Sequence, residues 1–226
     1  MDTTEEQKLK LREAILENRE KYEGNNMTFS KSQKYYDMLA EKYEEQLLNA
    51  NVRTHEITAE TVADLYPSDV RDKVKILDVG AGTGMVGSAL RGLRFKHIDA
   101  LEPNPNMLGK AKLQNRYETY FIESVNPEES SSIKNGTYDA ITMCATLAEA
   151  GHIPPEAIKG IVRMVKKGGY MVIVNRVLKD ETLNDIDAVM DSLEADKKMI
   201  KVTRKVWPGY NEVTGDFGIT WVYRVL

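Results

Sequence analysis

Two acids and three alternating glycines carry the chemical signal of this 226-residue chain. Asp78-Val79-Gly80-Ala81-Gly82-Thr83-Gly84 closes the apolar run Val74 to Val79, and Glu102 follows in Ala100-Leu101-Glu102-Pro103-Asn104. Glycines at this spacing let a backbone approach a ligand closely and take dihedrals closed to other residues. Set between a buried strand and a helix, at the carboxyl edge of a sheet, such a loop is a cofactor cradle. Gly82-Thr83-Gly84-Met85-Val86-Gly87 also satisfies the G-x-G-x-x-G dinucleotide fingerprint, with Glu102 near the distance of a ribose-binding acid. The strand nevertheless runs straight into Asp78-Val79-Gly80, so the turn starts at Gly80 and the third dinucleotide glycine would fall on Met85. A carboxylate at Asp78, placed at the loop mouth, repels a pyrophosphate and attracts a cation.

The elements that must position these groups alternate strand and helix at short intervals, the signature of a parallel sheet. Strands are predicted near 74–79, 97–102, 118–122, 138–143 and 169–175, with helices near 84–93, 104–114 and 154–166 and an irregular or helical piece around 126–133. After Gly84, Val86, Ala89, Leu90 and Leu93 fall on one helical face. A helix over 181–197 presents Leu183, Ile186, Met190 and Leu193, and two strands, 200–207 and 217–225, flank a Pro208-Gly209 turn. Upstream, a charged stretch at 5–23 forms a cap helix or a frayed arm. Helices are predicted over 31–49 and 55–65, the latter ended by Pro67. The reading is an α/β, Rossmann-like, seven-stranded and mostly parallel sheet with helices on both faces and a helical N-terminal cap. Residues 1–66 form the arm and cofactor lid, and 67–226 the core, within one structural domain.

The stretch from Ile76 to Gly84 resembles motif I of the class I S-adenosylmethionine (SAM)-dependent methyltransferases, a hydrophobic strand followed by D-x-G-x-G-x-G. SAM carries a sulfonium and an ammonium and no phosphate, which suits the charge at the loop. The two closing strands match that family's sheet, whose last strand is antiparallel. The resemblance covers residues 34–175 well. It implies that Asp78, Gly80, Ala81, Gly82, Thr83 and Gly84 cradle the cofactor and that Glu102, beside Pro103 and Asn104, takes the ribose hydroxyls. Met107 packs on the purine, and Glu123 and Ser124 stand at the adenine edge, although many members show Gly-Asp-Ala where this chain has Ile122-Glu123-Ser124. Cys144 and Ala145, at the end of the 138–143 strand, lie beside the reactive methyl. Tyr35-Tyr36-Asp37 through Tyr43 is similar to the family's Y-D-x-x-A-x-x-Y lid, with Tyr36 and Tyr43 on one helix face. The same Tyr-Tyr-Asp segment and Thr146 to Pro154 look like the methyltransferase-like proteins of the Williams–Beuren region, which brings no substrate.

Composition narrows the partners. A net charge of −4 gives no global attraction to nucleic acid or anionic membrane. The cluster Lys197, Lys198, Lys201, Arg204 and Lys205 reads as a solvated helix end. One cysteine excludes an internal disulfide and fits a reducing compartment. The acidic start Met1 to Glu6 is unlike a secretory signal, so a cytoplasmic protein is expected. No Asn/Asp-Pro-Pro-Tyr or Pro-Cys stretch marks a nucleic-acid methyltransferase, and no Asp/His cluster marks a metal site. The expected activity is methyl transfer to an O, N or S atom of a small-molecule acceptor, with a protein side chain as a second possibility. His152 is the candidate base, and Trp207, Tyr210 and Asn211 are candidate walls of the acceptor pocket. An NAD(P)-dependent oxidoreductase and a non-catalytic SAM-binding protein stand as alternatives.

Overall fold

Five apolar-rich residues bounded by charge and glycine have the length of a strand buried on both faces. In the computed structural model Lys75–Val79 is that strand, β1. The structure describes residues 9–10, 12–13, 15–17, 28–125, 132–147, 153–178 and 180–226. Its helices are α1 (Phe29–Leu39), α2 (Tyr43–Asn49), α3 (Thr54–Leu65), α4 (Met85–Gly92), α5 (Pro105–Leu113), α6 (Ala157–Val162) and α7 (Asp180–Ala195). The other strands are β2 (His97–Leu101), β3 (Tyr120–Phe121), β4 (Tyr138–Cys144), β5 (Val165–Arg176), β6 (Met199–Asn211) and β7 (Asp216–Val225).

These strands form one seven-stranded sheet in the order β3-β2-β1-β4-β5-β7-β6. The five on the β3 side run parallel, and β7 is antiparallel to both β5 and β6. Alternate residues of each strand enter opposite faces. Leu77, Val79, Ile141, Met143, Met171 and Ile173 pack on one side with α6 and α7. Ile76, Ala140, Val172 and Val174 pack on the other with α3, α4 and α5. The strand order reverses direction between β1 and β4, the point where open α/β sheets bind ligands beyond their carboxyl ends.

Four expectations change. The turn expected at Pro208-Gly209 is not one, because both residues lie inside β6 and the chain reverses at 212–215. The single helix over 31–49 is two, because Lys42 bonds back to the Leu39 carbonyl and closes a tight turn. That turn brings the rings of Tyr36 and Tyr43 edge-on at 6.3 Å. The third strand shrinks to two residues. The helix over 154–166 ends at Val162, because Val165 already pairs with Tyr138. The Lys167-Gly168-Gly169 stretch thus forms a bulge inside β5, and pairing resumes at Ala140 and Tyr170. A Cβ at Gly169 would meet the Asp139 carbonyl oxygen at 2.5 Å, so the bulge needs glycine there. Of the 126–133 piece, residues 126–131 lie outside the described residues.

Candidate active site

The glycine loop is held by the neighbouring strand. The N–H groups of Gly80 and Ala81 both donate to the Leu101 carbonyl, at 2.8 and 3.2 Å. Gly80, Gly82 and Gly84 all adopt positive φ, which opens the loop toward the carboxyl edge of the sheet. Glu102, at the end of β2, reaches across: one carboxylate oxygen accepts from Gly82 N–H at 2.9 Å and the other from Asn104 N–H at 2.8 Å. Burial pushes the Glu102 carboxyl up, and these two backbone donors oppose that shift.

Above the loop lies a cleft with two adjoining compartments. The outer one, of about 460 Å³, is bordered by Glu102, Pro103, Met107, Ser124, Thr146 and Ile153. The inner one, of about 250 Å³, is bordered by Tyr35, Leu39, His55, Asn175, Tyr210 and Asn211. Tyr36, Tyr43, Gly80, Gly82, Cys144 and Ala145 border both, so the compartments meet over the end of β4. Ala145 holds φ +56° at this junction, an uncommon conformation for a residue with a side chain and a frequent one at ligand sites. Ala81 and Thr83 face the inner compartment, whereas Gly84 borders neither and packs tightly against Arg116, Tyr117 and Ala111.

Several expected site residues have other tasks. Asp78 does not stand at the loop mouth. It points into the sheet face that packs on α3, α4 and α5, where Tyr117 O–H donates to Oδ2 at 2.6 Å and Thr142 O–H to Oδ1 at 2.8 Å. Burial pushes its carboxyl up to about 6 against these two hydrogen bonds, with Glu102 adding to the rise. Asn104 is the N-cap of α5: its Oδ1 accepts from Asn106 and Met107 N–H, and its Nδ2 donates to Gln33 O and Asp37 Oδ1. Glu123 accepts from the Ser132 N–H and hydroxyl and does not border the cleft. His152 lies outside the described residues. The Cys144 thiol is pushed up to about 11, chiefly by burial, beside the Thr58 and Thr54 hydroxyls. At neutral pH it is a thiol, not a thiolate.

The helices α1 and α2 form one side of the cleft and are tied to the core by polar contacts. Asp37 accepts from Asn104 and Asn106, both at 2.9 Å. Glu44 binds the Arg116 guanidinium through both oxygens, at 2.5 and 3.1 Å, and the same guanidinium donates to the Thr83 carbonyl of the glycine loop at 2.8 Å. Trp207 backs the inner compartment, stacked on Tyr210 at 6.2 Å.

Sequence reasoning missed Arg116, Asn175 and His55. The first two are ordinary polar residues without a motif, but His55 left a signal. The chain has only three histidines, and His97 is spent on a surface contact with Glu118. Among the described residues no group of three or more His, Cys, Asp or Glu could hold a metal. No described helix is long and apolar enough to cross a membrane.

Residues 40–198 match the profile of a family described as a methyltransferase domain. The chain belongs to this methyltransferase family, in the class that depends on SAM. It is 25% identical over 162 residues to human methyltransferase-like protein 27, a match that covers 71% of this chain and 64% of that protein's length. Its fold is shared by a SAM-dependent methyltransferase from Leishmania major, with a TM-score of 0.62, 16% identity and 86% and 82% of the two chains covered. The plantazolicin methyltransferase BpumL, solved in complex with SAH, superposes with a TM-score of 0.55 at 14% identity, over 96% of this chain and all (100%) of that one.

Proposed function

We propose that this chain is a SAM-dependent methyltransferase in which the outer compartment binds the cofactor and the inner one a small acceptor. The observation that carries the reading is the meeting of the two compartments over Cys144 and Ala145, with Glu102 at the outer end.

The residues fit the cofactor. Each Glu102 oxygen accepts one backbone N–H and keeps capacity for a second donor, as paired ribose hydroxyls require. Met107 and Pro103 offer apolar surface for a purine, with Ser124 at its edge. Thr146 Oγ1 is buried without a protein partner and borders the same space, so a polar ligand group would satisfy it. A volume of about 460 Å³ lies within the roughly 300–1,000 Å³ of small-molecule sites. When bound, SAM supplies a methyl group on a sulfonium whose bonding pair stays with sulfur as the acceptor takes the carbon.

The chain's own residues align and dry the site. Tyr36 and Tyr43 stand where the compartments meet, and α1 and α2 exclude water from the junction, so the N-terminal segment serves as the lid of residues 67–226. Holding the two reactants in line in a closed pocket supplies much of a methyl transferase's rate. Calorimetry tests the reading: S-adenosylhomocysteine (SAH) binds and raises the melting temperature by mass action, while NAD does neither. The reverse pattern would overturn the assignment of the outer compartment to SAM. SAH binding with no labelled product in a metabolite and lysate screen would mark a non-catalytic SAM-binding protein.

A further inference from the structure

Three buried polar atoms without a partner belong to residues that border the inner compartment: Thr83 Oγ1, Asn175 Oδ1 and His55 Nδ1. Asn175, 2% exposed, donates from Nδ2 to the Arg176 carbonyl at 3.0 Å, which fixes its amide and leaves Oδ1 sealed and unmatched. His55 Nδ1 is likewise sealed from water and unmatched. Buried polar groups without partners are rare, and at a cavity they mark what its ligand brings. Asn175 Oδ1 can only accept, so here the ligand brings a hydrogen-bond donor.

The position of His55 adds a second observation. The residue borders the inner compartment and also a separate outward cavity lined by Glu44, Arg53, Glu56, Glu60 and Arg116. It therefore stands in the wall between this compartment and a charged surface cleft, where a proton taken on one side has a way out on the other.

We propose that His55 is the catalytic base, and that the acceptor is a single-ring, phenol-like molecule whose hydroxyl gives its proton to His55 as it is methylated. The inference rests on the methyltransferase reading above. In the step, the acceptor O–H bond breaks and an N–H bond forms on the imidazole. The electron pair stays on oxygen to form the new bond to the methyl carbon, and the proton then leaves through the outer cleft to water. The size of the pocket, about 250 Å³, sets the single ring. Tyr35, Leu39, Leu47 and Tyr210 give it aromatic and apolar walls. Among its described lining residues no carboxylate is present to hold an ammonium. A base is needed for a hydroxyl and not for a neutral amine.

Burial lowers the His55 pKa, which favours the neutral ring that a base must present. Glu56 on its own helix and Glu44 from α2 oppose that shift, and Arg53 and Arg116 support it.

The test compares phenol with 4-nitrophenol as methyl acceptors at mildly alkaline pH, where only the second is already ionised. Wild type and the variants His55→Gln and His55→Asn are measured, with SAH affinity by calorimetry as the control for fold and cofactor site. The expected result is unchanged SAH affinity and a kcat for phenol lowered about 100-fold or more. KM changes far less, and turnover of 4-nitrophenol is nearly preserved. Equal losses on both probes, or no loss on either, would overturn the role of His55. Wild type that binds SAH but methylates neither phenol would overturn the acceptor class. Wild type that binds no SAH would overturn the methyltransferase reading, and this inference with it.

Discussion

The Tyr117 hydroxyl lies 2.6 Å from Asp78 Oδ2 in the sealed space beneath the glycine loop and, with Thr142 on Oδ1, gives each oxygen of the acid of the D-x-G-x-G-x-G segment a protein hydrogen bond. Tyr117 also packs its ring against Gly87, where a Cβ would come within 2.5 Å. Removing the hydroxyl leaves one oxygen of a buried carboxylate unmatched, so Tyr117→Phe is expected to cost about 1–3 kcal/mol of stability. Urea unfolding measures it.

The same carboxyl sets a pH dependence. Its folded pKa is raised from 3.8 to about 6, so between these values the native state holds a proton that the unfolded state has lost. Stability contributed by this group therefore falls as pH rises from 3.8 to about 6 and is level above. Asp78→Asn, which keeps the shape, removes this fall. Melting temperatures at the two ends of the window should converge in the variant relative to the parent.

Glu102→Ala should weaken SAH binding by about 2–4 kcal/mol, through loss of charge-assisted bonds to the ribose. Because Glu102 also accepts from Gly82 and Asn104 N–H, the loop loosens as well, and hydrogen exchange at Gly82 should quicken without ligand. Unchanged SAH affinity in a folded variant would reduce Glu102 to a loop brace.

Gly82→Val places a branched side chain at φ +54° with its Cβ 3.5 Å from Met107 Cε, in the space assigned to the cofactor. SAH binding should be lost in calorimetry while the sheet remains folded by circular dichroism.

The Glu44–Arg116 pair predicts acid sensitivity of the N-terminal helices. Burial works most strongly against ionisation of Glu44, but its hydrogen bonds to Arg116 and Thr83 and the Arg116 charge together outweigh this and hold the carboxyl below 4.5. The contact is present above that value and is lost as pH falls through the lowered pKa. Protection of residues 29–49 against hydrogen exchange, taken relative to the intrinsic rate at each pH, should fall in acid, and SAH should raise it at neutral pH. Equal protection with and without SAH would show a permanently packed segment and no gating.

The parallel strands were legible in the sequence as apolar runs bounded by glycine, asparagine or charge, whereas the closing hairpin was not: Pro208 and Gly209 lie inside β6, and the chain turns at 212–215. Boundaries were also less legible. The tight turn at Leu39–Lys42 carries no glycine or proline, and the β5 bulge looks like a turn until Val165 finds Tyr138 as its partner. In the site, the glycines and Glu102 stood out because spacing betrays backbone geometry. Asp78 misled because the strand alternation that turns it inward depends on which face is buried at its end, and both faces are. Asn175 and His55 stayed hidden because a missing hydrogen-bond partner is a property of three dimensions.

Trp207 lies against Gly218, where a Cβ would collide with its indole at 2.2 Å, and donates from Nε1 to Thr220 at 3.0 Å. The chain's other tryptophan, Trp221, is fully enclosed at 0% exposure. The ring that stacks on Tyr210 is thus a fixed, partly exposed fluorophore touching the acceptor wall. Its emission offers an optical gauge of whether the inner compartment is filled, which needs neither a label nor turnover.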